Sequence, residues 1–208
     1  MKKVIFTLSM LFSITVFAQT EAKTLIGTDG PESWGFMVGT GLQTAQVYGE
    51  NTWFSQFKAG VVINEAWTFG ALVGFSLNEI RPATLQLNNE LNELDFHMYG
   101  AFIEYRIKPN SLVHLSFPLN LGVFGTDVDD FNYSQNTVDW EDYNAEDYQF
   151  FVEPGINIEL NLHKYVRIYT GASYRIQAGS IYSEGITPAA ENQLLWNIGM
   201  KVGLFKIN

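Results

Sequence analysis

From residue 34 onward, apolar residues alternate with small or polar ones at a period of two, in eight successive stretches. In the seventh stretch Val166, Ile168, Thr170, Ala172, Tyr174 and Ile176 share one face, and Arg167, Tyr169, Gly171, Ser173, Arg175 and Gln177 share the other. The eighth repeats the pattern, with Leu194, Trp196, Ile198, Met200, Val202 and Leu204 opposed by Asn197, Gly199, Lys201 and Gly203. A period of two places successive side chains on opposite faces of a β-strand. The pattern predicts strands near Trp34–Gln43, Trp53–Asn64, Thr68–Arg81, Leu94–Lys108, Val113–Gly125, Tyr148–Leu162, Val166–Ala178 and Gln193–Ile207. Lengths of roughly 10–15 residues suit tilted strands crossing a bilayer, which need about 9–11 to pass the hydrocarbon.

Alternation alone does not say which face turns inward, because a soluble ligand-binding barrel has the same period with its apolar side inside. The glycines decide. Gly35, Gly39, Gly41, Gly60, Gly70, Gly74, Gly100, Gly122, Gly155, Gly171, Gly199 and Gly203 fall on the polar face, where a narrow eight-strand interior needs small side chains. A water-facing surface would instead be rich in Lys and Glu. The apolar face carries aromatics toward the strand ends, among them Trp34, Phe69, Tyr105 and Tyr174, as interfacial girdles require. Short connections at Asn64–Trp67, Pro109–Ser111 and His163–Lys164 alternate with longer ones at Thr44–Thr52, Pro82–Glu93, Thr126–Asp147 and Gly179–Asn192. The expected fold is all-β: an eight-stranded antiparallel transmembrane up-and-down β-barrel, with short periplasmic turns and longer extracellular loops. Closure removes every exposed edge and satisfies the backbone groups that lipid cannot.

The first 18 residues read as a cleaved export signal. Lys2 and Lys3 precede an apolar run from Val4 to Phe17, and Val16-Phe17-Ala18 ends on the small residue that cleavage before Gln19 requires. The expected organisation is a signal peptide over 1–18, an N-terminal periplasmic segment over 19–32 and the barrel over 33–208. The chain has no cysteine, which excludes a lipidated leader, a disulfide and a thiol nucleophile. Lys2 and Lys3 leave with the leader, so ten basic residues face 22 acidic ones and the net charge deepens from -10 to -12. Such a balance argues against nucleic acid as a partner.

The Gly/aromatic alternation, the order of loops and the closing segment from Asn197 to Leu204 (Asn-Ile-Gly-Met-Lys-Val-Gly-Leu) carry a family resemblance. The chain resembles small eight-stranded outer-membrane barrels of the OmpA/OmpX type, most closely the "porin family" or PorT-like barrels of the Bacteroidota, over Ser33 to Asn208. The closing segment is similar to the polar-x-Gly-x-x-apolar-x-apolar assembly signal of such barrels. It departs from the pattern by running on through Phe205, Lys206 and Ile207 to Asn208 instead of ending on an aromatic residue. The resemblance implies an outer-membrane location, insertion by the barrel assembly machinery and contact with outer-membrane lipid and lipopolysaccharide. It also implies a supporting role in secretion or envelope assembly, as for PorT-like proteins; no cofactor is expected. Two prolines within strands, Pro118 and Pro154, remove ladder donors and are expected to mark bulges or breaks.

Candidate chemistry falls in three places. The polar face collects Lys58, Glu104, Arg106, His114, Glu153, Glu159, Arg167, Arg175 and Lys201. Unpaired charge in a confined interior is costly, so Glu153 is expected to face Arg175, and Glu159 to face Arg167, with Glu104 and Arg106 joining from the fourth strand. This set is either a structural plug or a gated ion path lined by breakable pairs. His114-Leu115-Ser116 resembles the histidine and serine of outer-membrane lipid A deacylases, but the two residues point inward and no acid on a neighbouring strand is expected to complete a triad. His97 and His163 stand apart, so no three-ligand metal site is expected. The loop from Thr126 to Asp147 gathers Asp127, Asp129, Asp130, Asp139, Glu141, Asp142, Glu146 and Asp147 among Phe131, Tyr133, Trp140 and Tyr143. It is either a solvated, repulsive segment or an adhesive surface anchored by its aromatics. Its Asp127-Val-Asp-Asp130 run lacks the glycine and distal glutamate of an EF-hand. Three function classes follow: a noncatalytic structural or surface-interaction barrel, a narrow channel, and a lipid-modifying enzyme.

Overall fold

The computed structural model describes residues 33–47, 50–78, 86–87, 90–91, 93–129, 147–180 and 192–207. The expected leader and periplasmic segment lie outside them. Eight strands build the wall: β1 (Trp34–Val47), β2 (Glu50–Ile63), β3 (Trp67–Ser76), β4 (Glu93–Ile107), β5 (Val113–Asp129), β6 (Asp147–His163), β7 (Val166–Ser180) and β8 (Gln193–Ile207). Each pairs antiparallel with its sequence neighbours, and β8 returns to pair with β1, closing the barrel. A two-residue ladder between 86–87 and 90–91 is separate from the barrel sheet.

The faces divide as the alternation requires. Outward positions are apolar and exposed, including Val38, Phe57, Ile158, Ile198 and Leu204. Between Tyr99 and Tyr105 on β4, and between Val166 and Ile176 on β7, no outward residue is charged. Water would penalise so large an apolar surface, and hydrocarbon does not. Trp34, Tyr105 and Tyr165 ring the short-turn end, whereas Trp53, Tyr99, Tyr174 and Trp196 ring the other, which gives two aromatic girdles.

Three expectations about strand limits change. β5 runs four residues past Gly125 to Asp129, paired with β4 as far as Glu93, so Thr126 to Asp129, with the candidate loop residues Asp127 and Asp129, are strand and not loop. The residues 44–52 do not form a long loop, because β1 and β2 remain paired up to Val47 opposite Glu50. Outward positions there are polar, Thr44, Gln46 and Asn51, so the apolar period fades while the hydrogen-bonded ladder continues. β3 conversely stops at Ser76, five residues before the expected end, where Asn78 caps the edge by accepting the Trp53 N–H at 2.9 Å.

The prolines interrupt the ladder without shifting it. Pairing of β5 with β6 passes from Ser116 opposite Asn157 directly to Leu119 opposite Pro154, and pairing of β6 with β7 from Val152 opposite Ile176 to Gly155 opposite Ser173. The middle of β6 is therefore loosely bonded on both sides, because a proline has no N–H to donate. These are breaks, with register kept on either side, and not bulges.

Inside, glycine is required where a larger residue crosses the lumen. Gly41 of β1 lies opposite Gly199 of β8, and the Tyr169 hydroxyl occupies the space where a Cβ on either would stand. A Cβ at Gly199 would also meet the Thr40 carbonyl oxygen, which cannot move without breaking the wall. Gly199→Val is accordingly expected to cost about 1–3 kcal/mol, seen as a smaller folded, heat-modifiable fraction on refolding, with no full rescue from Tyr169→Ala.

Candidate functional site

The lumen is filled by two tiers of side chains. Toward the loop end, Glu153 on β6 accepts from Arg175 Nε at 2.9 Å and lies 2.8 Å from Arg175 Nη2. Its other oxygen accepts from Gln43 Nε2 at 2.8 Å, Ser173 Oγ at 2.9 Å and Asn120 Nδ2 at 3.1 Å. Arg175 also donates to Gln43 Oε1 at 2.8 Å. The pairing of Glu153 with Arg175 is the one expected from the short β6–β7 turn. Around it stand Phe54, Phe124 and Phe151, whose ring centres lie 5.8, 5.3 and 5.2 Å from the guanidinium carbon. Phe96 stacks on Phe124 at 5.4 Å, and Val47, Met98 and Leu195 complete an apolar cluster with them. Cation–π contact and carboxylate together compensate an arginine that is 1 % exposed.

Toward the short-turn end the second tier is almost wholly ionic. Glu104 accepts from Arg106 Nη2 and from Lys201 Nζ, each at 2.5 Å. Lys201 also donates to Glu159, which lies 3.6 Å from Arg106 Nε and 3.2 Å from His114 Nε2. Two carboxylates thus share Lys201 and Arg106, a charge-balanced square with His114 at its edge. Lys58 stands between the tiers, donating to Asn120 Oδ1 at 3.0 Å with its ammonium 5.3 Å from the Phe102 ring centre.

The expected Glu159–Arg167 pair does not form. Across the β6–β7 ladder Arg167 lies opposite Asn161, while Glu159 lies opposite Tyr169. The guanidinium of Arg167 stacks 3.8 Å over Phe205 and its Nη1 has no hydrogen-bond acceptor. Lys201, opposite Arg167 on β8, takes the carboxylate instead.

The His114-Ser116 fragment is buried in the lumen, as its parity required. Contrary to expectation, an acid on the neighbouring strand does meet the histidine: Glu159, opposite it in the ladder. The arrangement still lacks a nucleophile, because His114 Nδ1 lies 3.2 Å from the Ser111 carbonyl oxygen and Nε2 faces Glu159. Ser116 meanwhile accepts from Asn157 Nδ2 at 3.5 Å. Neither ring nitrogen is directed at the serine, and neither residue touches the lipid-facing wall. His97 points outward, packed against Tyr99 and Tyr148 with ring centres at 5.2 and 5.6 Å, and His163 lies at the β6–β7 turn against Tyr165. Among the described residues no group of three His, Cys, Asp or Glu side chains could hold a metal ion.

Of the acidic aromatic loop, residues 130–146, with Asp130, Phe131, Tyr133, Trp140 and Tyr143, lie outside the described residues. The backbone does place the loop's roots: Asp127 opposite Asp95 and Asp129 opposite Glu93 at the end of the β4–β5 ladder. Sequence reading missed Gln43, Asn120 and Ser173 as partners of Glu153, and missed the aromatic cluster above them. The signal was parity: Phe54 shares a face with Gln56 and Lys58, and Phe124 with Gly122 and Asn120.

A closed barrel with an apolar outer wall and a packed polar lumen defines an integral membrane protein that crosses by strands. It is similar to Neisserial surface protein A, with a TM-score of 0.56 and 13 % identity over 81 % of this chain and 96 % of that one. It is also matched to a major outer membrane protein from Thermus thermophilus (TM-score 0.49, 8 % identity, 81 % and 98 % covered). A further match is Ail, the attachment invasion locus protein of Yersinia pestis, in complex with sucrose octasulfate (TM-score 0.47, 14 % identity, 83 % and 99 % covered). No protein-family model and no curated protein sequence matches the chain. The fold is that of the small eight-stranded outer-membrane barrels.

Proposed function

We propose that the chain is a noncatalytic outer-membrane protein whose lumen is a plug and whose work is done by its loops, as a structural or adhesin-like surface protein. The observation that carries this reading is the aromatic cluster of Phe54, Phe96, Phe124 and Phe151, which closes the loop end above a hydrogen-bonded charge network. An ion path would need water continuous with both ends, whereas these four rings have at most 2 % exposure. On this reading the short turns face the periplasm, and the exported chain is inserted by the barrel assembly machinery and sits among lipopolysaccharide. The segment between β5 and β6, residues 130–146, then meets a surface partner, its aromatics supplying the anchors. Within the class, the Gly/aromatic alternation, the order of the loops and the closing segment Asn197 to Leu204 together support the PorT-like barrels of the Bacteroidota. A lipid-modifying enzyme is disfavoured by the inward burial of His114 and Ser116 and by the occupation of both imidazole nitrogens.

A planar-bilayer recording tests the plug. The folded protein is expected to pass no current above leak across voltage and salt. Steady conductance from the unaltered barrel would favour the channel reading instead.

A further inference from the structure

From Glu153 and Arg175 down to the short turns, the lumen holds five cations, Lys58, Arg106, Arg167, Arg175 and Lys201, against three carboxylates, Glu104, Glu153 and Glu159. With Glu65 of the β2–β3 turn included, one cation is still in excess. Lys58 has the Asn120 oxygen. Among the described residues Arg167 has only the Phe205 ring: it is 4 % exposed, its Nη1 has no acceptor, and it forms no ion pair. The charges that act on it through space are Arg106, Glu159, Glu104 and Glu65, and Glu104 and Glu159 are already taken by Lys201 and Arg106. A buried guanidinium so placed calls for an anion.

The residue opposite Arg167 in the β6–β7 ladder is Asn161, and its amide has the complementary deficit. Asn161 Nδ2 donates to the carbonyl oxygens of Pro109 at 2.9 Å and Ser111 at 2.7 Å. Two acceptors facing one end of the amide fix its orientation, so the buried atom left without a donor is the oxygen, Oδ1. A donor without an acceptor and an acceptor without a donor therefore stand on neighbouring strands, at the short-turn end of the lumen. The turns on either side of β6 carry the exposed Lys108 and Lys164, whose field draws anions toward this entrance.

An oxyanion that also carries a hydroxyl satisfies both atoms at once. Inorganic phosphate keeps a P–OH at neutral pH, whereas sulfate, carboxylates and phosphodiesters have none. We infer that inorganic phosphate binds at the short-turn end of the lumen, its oxygens accepting from Arg167 and its P–OH donating to Asn161 Oδ1. Phe205 backs one face of the guanidinium and leaves its edge for the two-point contact that arginine makes with phosphate. The site does not depend on the lumen being a plug, since a conducting barrel would keep Arg167 and Asn161 opposite each other.

Titration calorimetry of the refolded protein in maltoside micelles, which contain no phosphate, tests the site with inorganic phosphate, sulfate and dimethyl phosphate at neutral pH and equal ionic strength. Phosphate should bind about tenfold more tightly than sulfate or dimethyl phosphate, the worth of one hydrogen bond to a charged group. Arg167→Gln should abolish binding, and Arg167→Lys, which keeps the charge but not the fork, should weaken it. Asn161→Ala should bring phosphate and sulfate to equal affinity. Because Asn161 also fastens the β4–β5 turn, heat-modifiable migration checks that this variant folds; the Arg167 variants, which break no hydrogen bond of the wall, decide the matter if it does not. No saturable binding of phosphate, equal affinity of the unaltered protein for phosphate and sulfate, or phosphate binding retained by Arg167→Gln would overturn the site.

Discussion

Replacing Glu153 with alanine should destabilise the barrel by about 3–5 kcal/mol, the loss incurred when one partner of a buried ion pair is removed. Arg175 would keep the Gln43 oxygen at 2.8 Å, the Met98 sulfur at 3.9 Å and the three phenylalanine rings, with no carboxylate to balance its charge. Gln43, Ser173 and Asn120 would each lose an acceptor as well. Guanidinium unfolding of the protein in lipid vesicles reads this as a lower midpoint at unchanged slope. The double variant Glu153→Leu/Arg175→Leu should recover most of the loss, because matched apolar groups avoid the desolvation that the pair must repay. If the single variant costs less than about 1 kcal/mol, as exposed ion pairs do, Glu153 does not hold the upper tier together.

The fold was legible because a membrane wall writes itself into sequence twice. Lipid enforces apolar residues at every second position, and the narrow lumen enforces glycine and small polar residues at the others. Both constraints act locally, so the eight strands and their facing could be read from neighbouring residues. Strand ends were less legible, since Thr44 to Val47 continue the ladder above the hydrocarbon, where no lipid imposes a period. Inside the lumen, sequence placed every charged residue on the correct face yet paired only some of them. Glu153 and Arg175 were predictable because one short turn fixes their relative heights. Lys201 with Glu104 was not, because those residues lie 97 apart in sequence and meet across the barrel, at a distance set by the direction each long side chain takes. The aromatic cluster escaped notice for a related reason: apolar residues on the inward parity look like lapses in alternation until the closed barrel brings Phe54, Phe96, Phe124 and Phe151 together.

The two tiers divide labour along the axis. The upper one is apolar with a single embedded ion pair, and it excludes water; the lower one is a charge lattice that draws its strength from that exclusion, since carboxylate and ammonium attract more strongly where water is absent. Loosening at the prolines falls at the same height as Glu153, opposite neither girdle, where the ladder between β6 and its neighbours lacks donors. There the side-chain network, more than the backbone, joins β6 to the rest of the wall: Glu153 alone reaches β1, β5 and β7 through Gln43, Asn120, Ser173 and Arg175.

Lys201→Met should be as damaging as the loss of Glu153, by a different route. Lys201 is the cation shared by Glu104 and Glu159, and without it Glu104 keeps only Arg106 at 2.5 Å, while Glu159 keeps His114 Nε2 at 3.2 Å and Arg106 Nε at 3.6 Å. Two carboxylates would face each other in a site with less than 2 % exposure, where an uncompensated charge costs about 3–5 kcal/mol. The expected result is a lowered unfolding midpoint and a reduced folded yield at neutral pH. Adding Glu159→Gln removes the surplus negative charge, and the double variant Lys201→Met/Glu159→Gln should regain a large part of the stability. That compensation distinguishes charge balance from packing: if lost methylene contacts with Tyr169, whose ring centre lies 4.8 Å from the ammonium, caused the damage, neutralising Glu159 would bring no recovery.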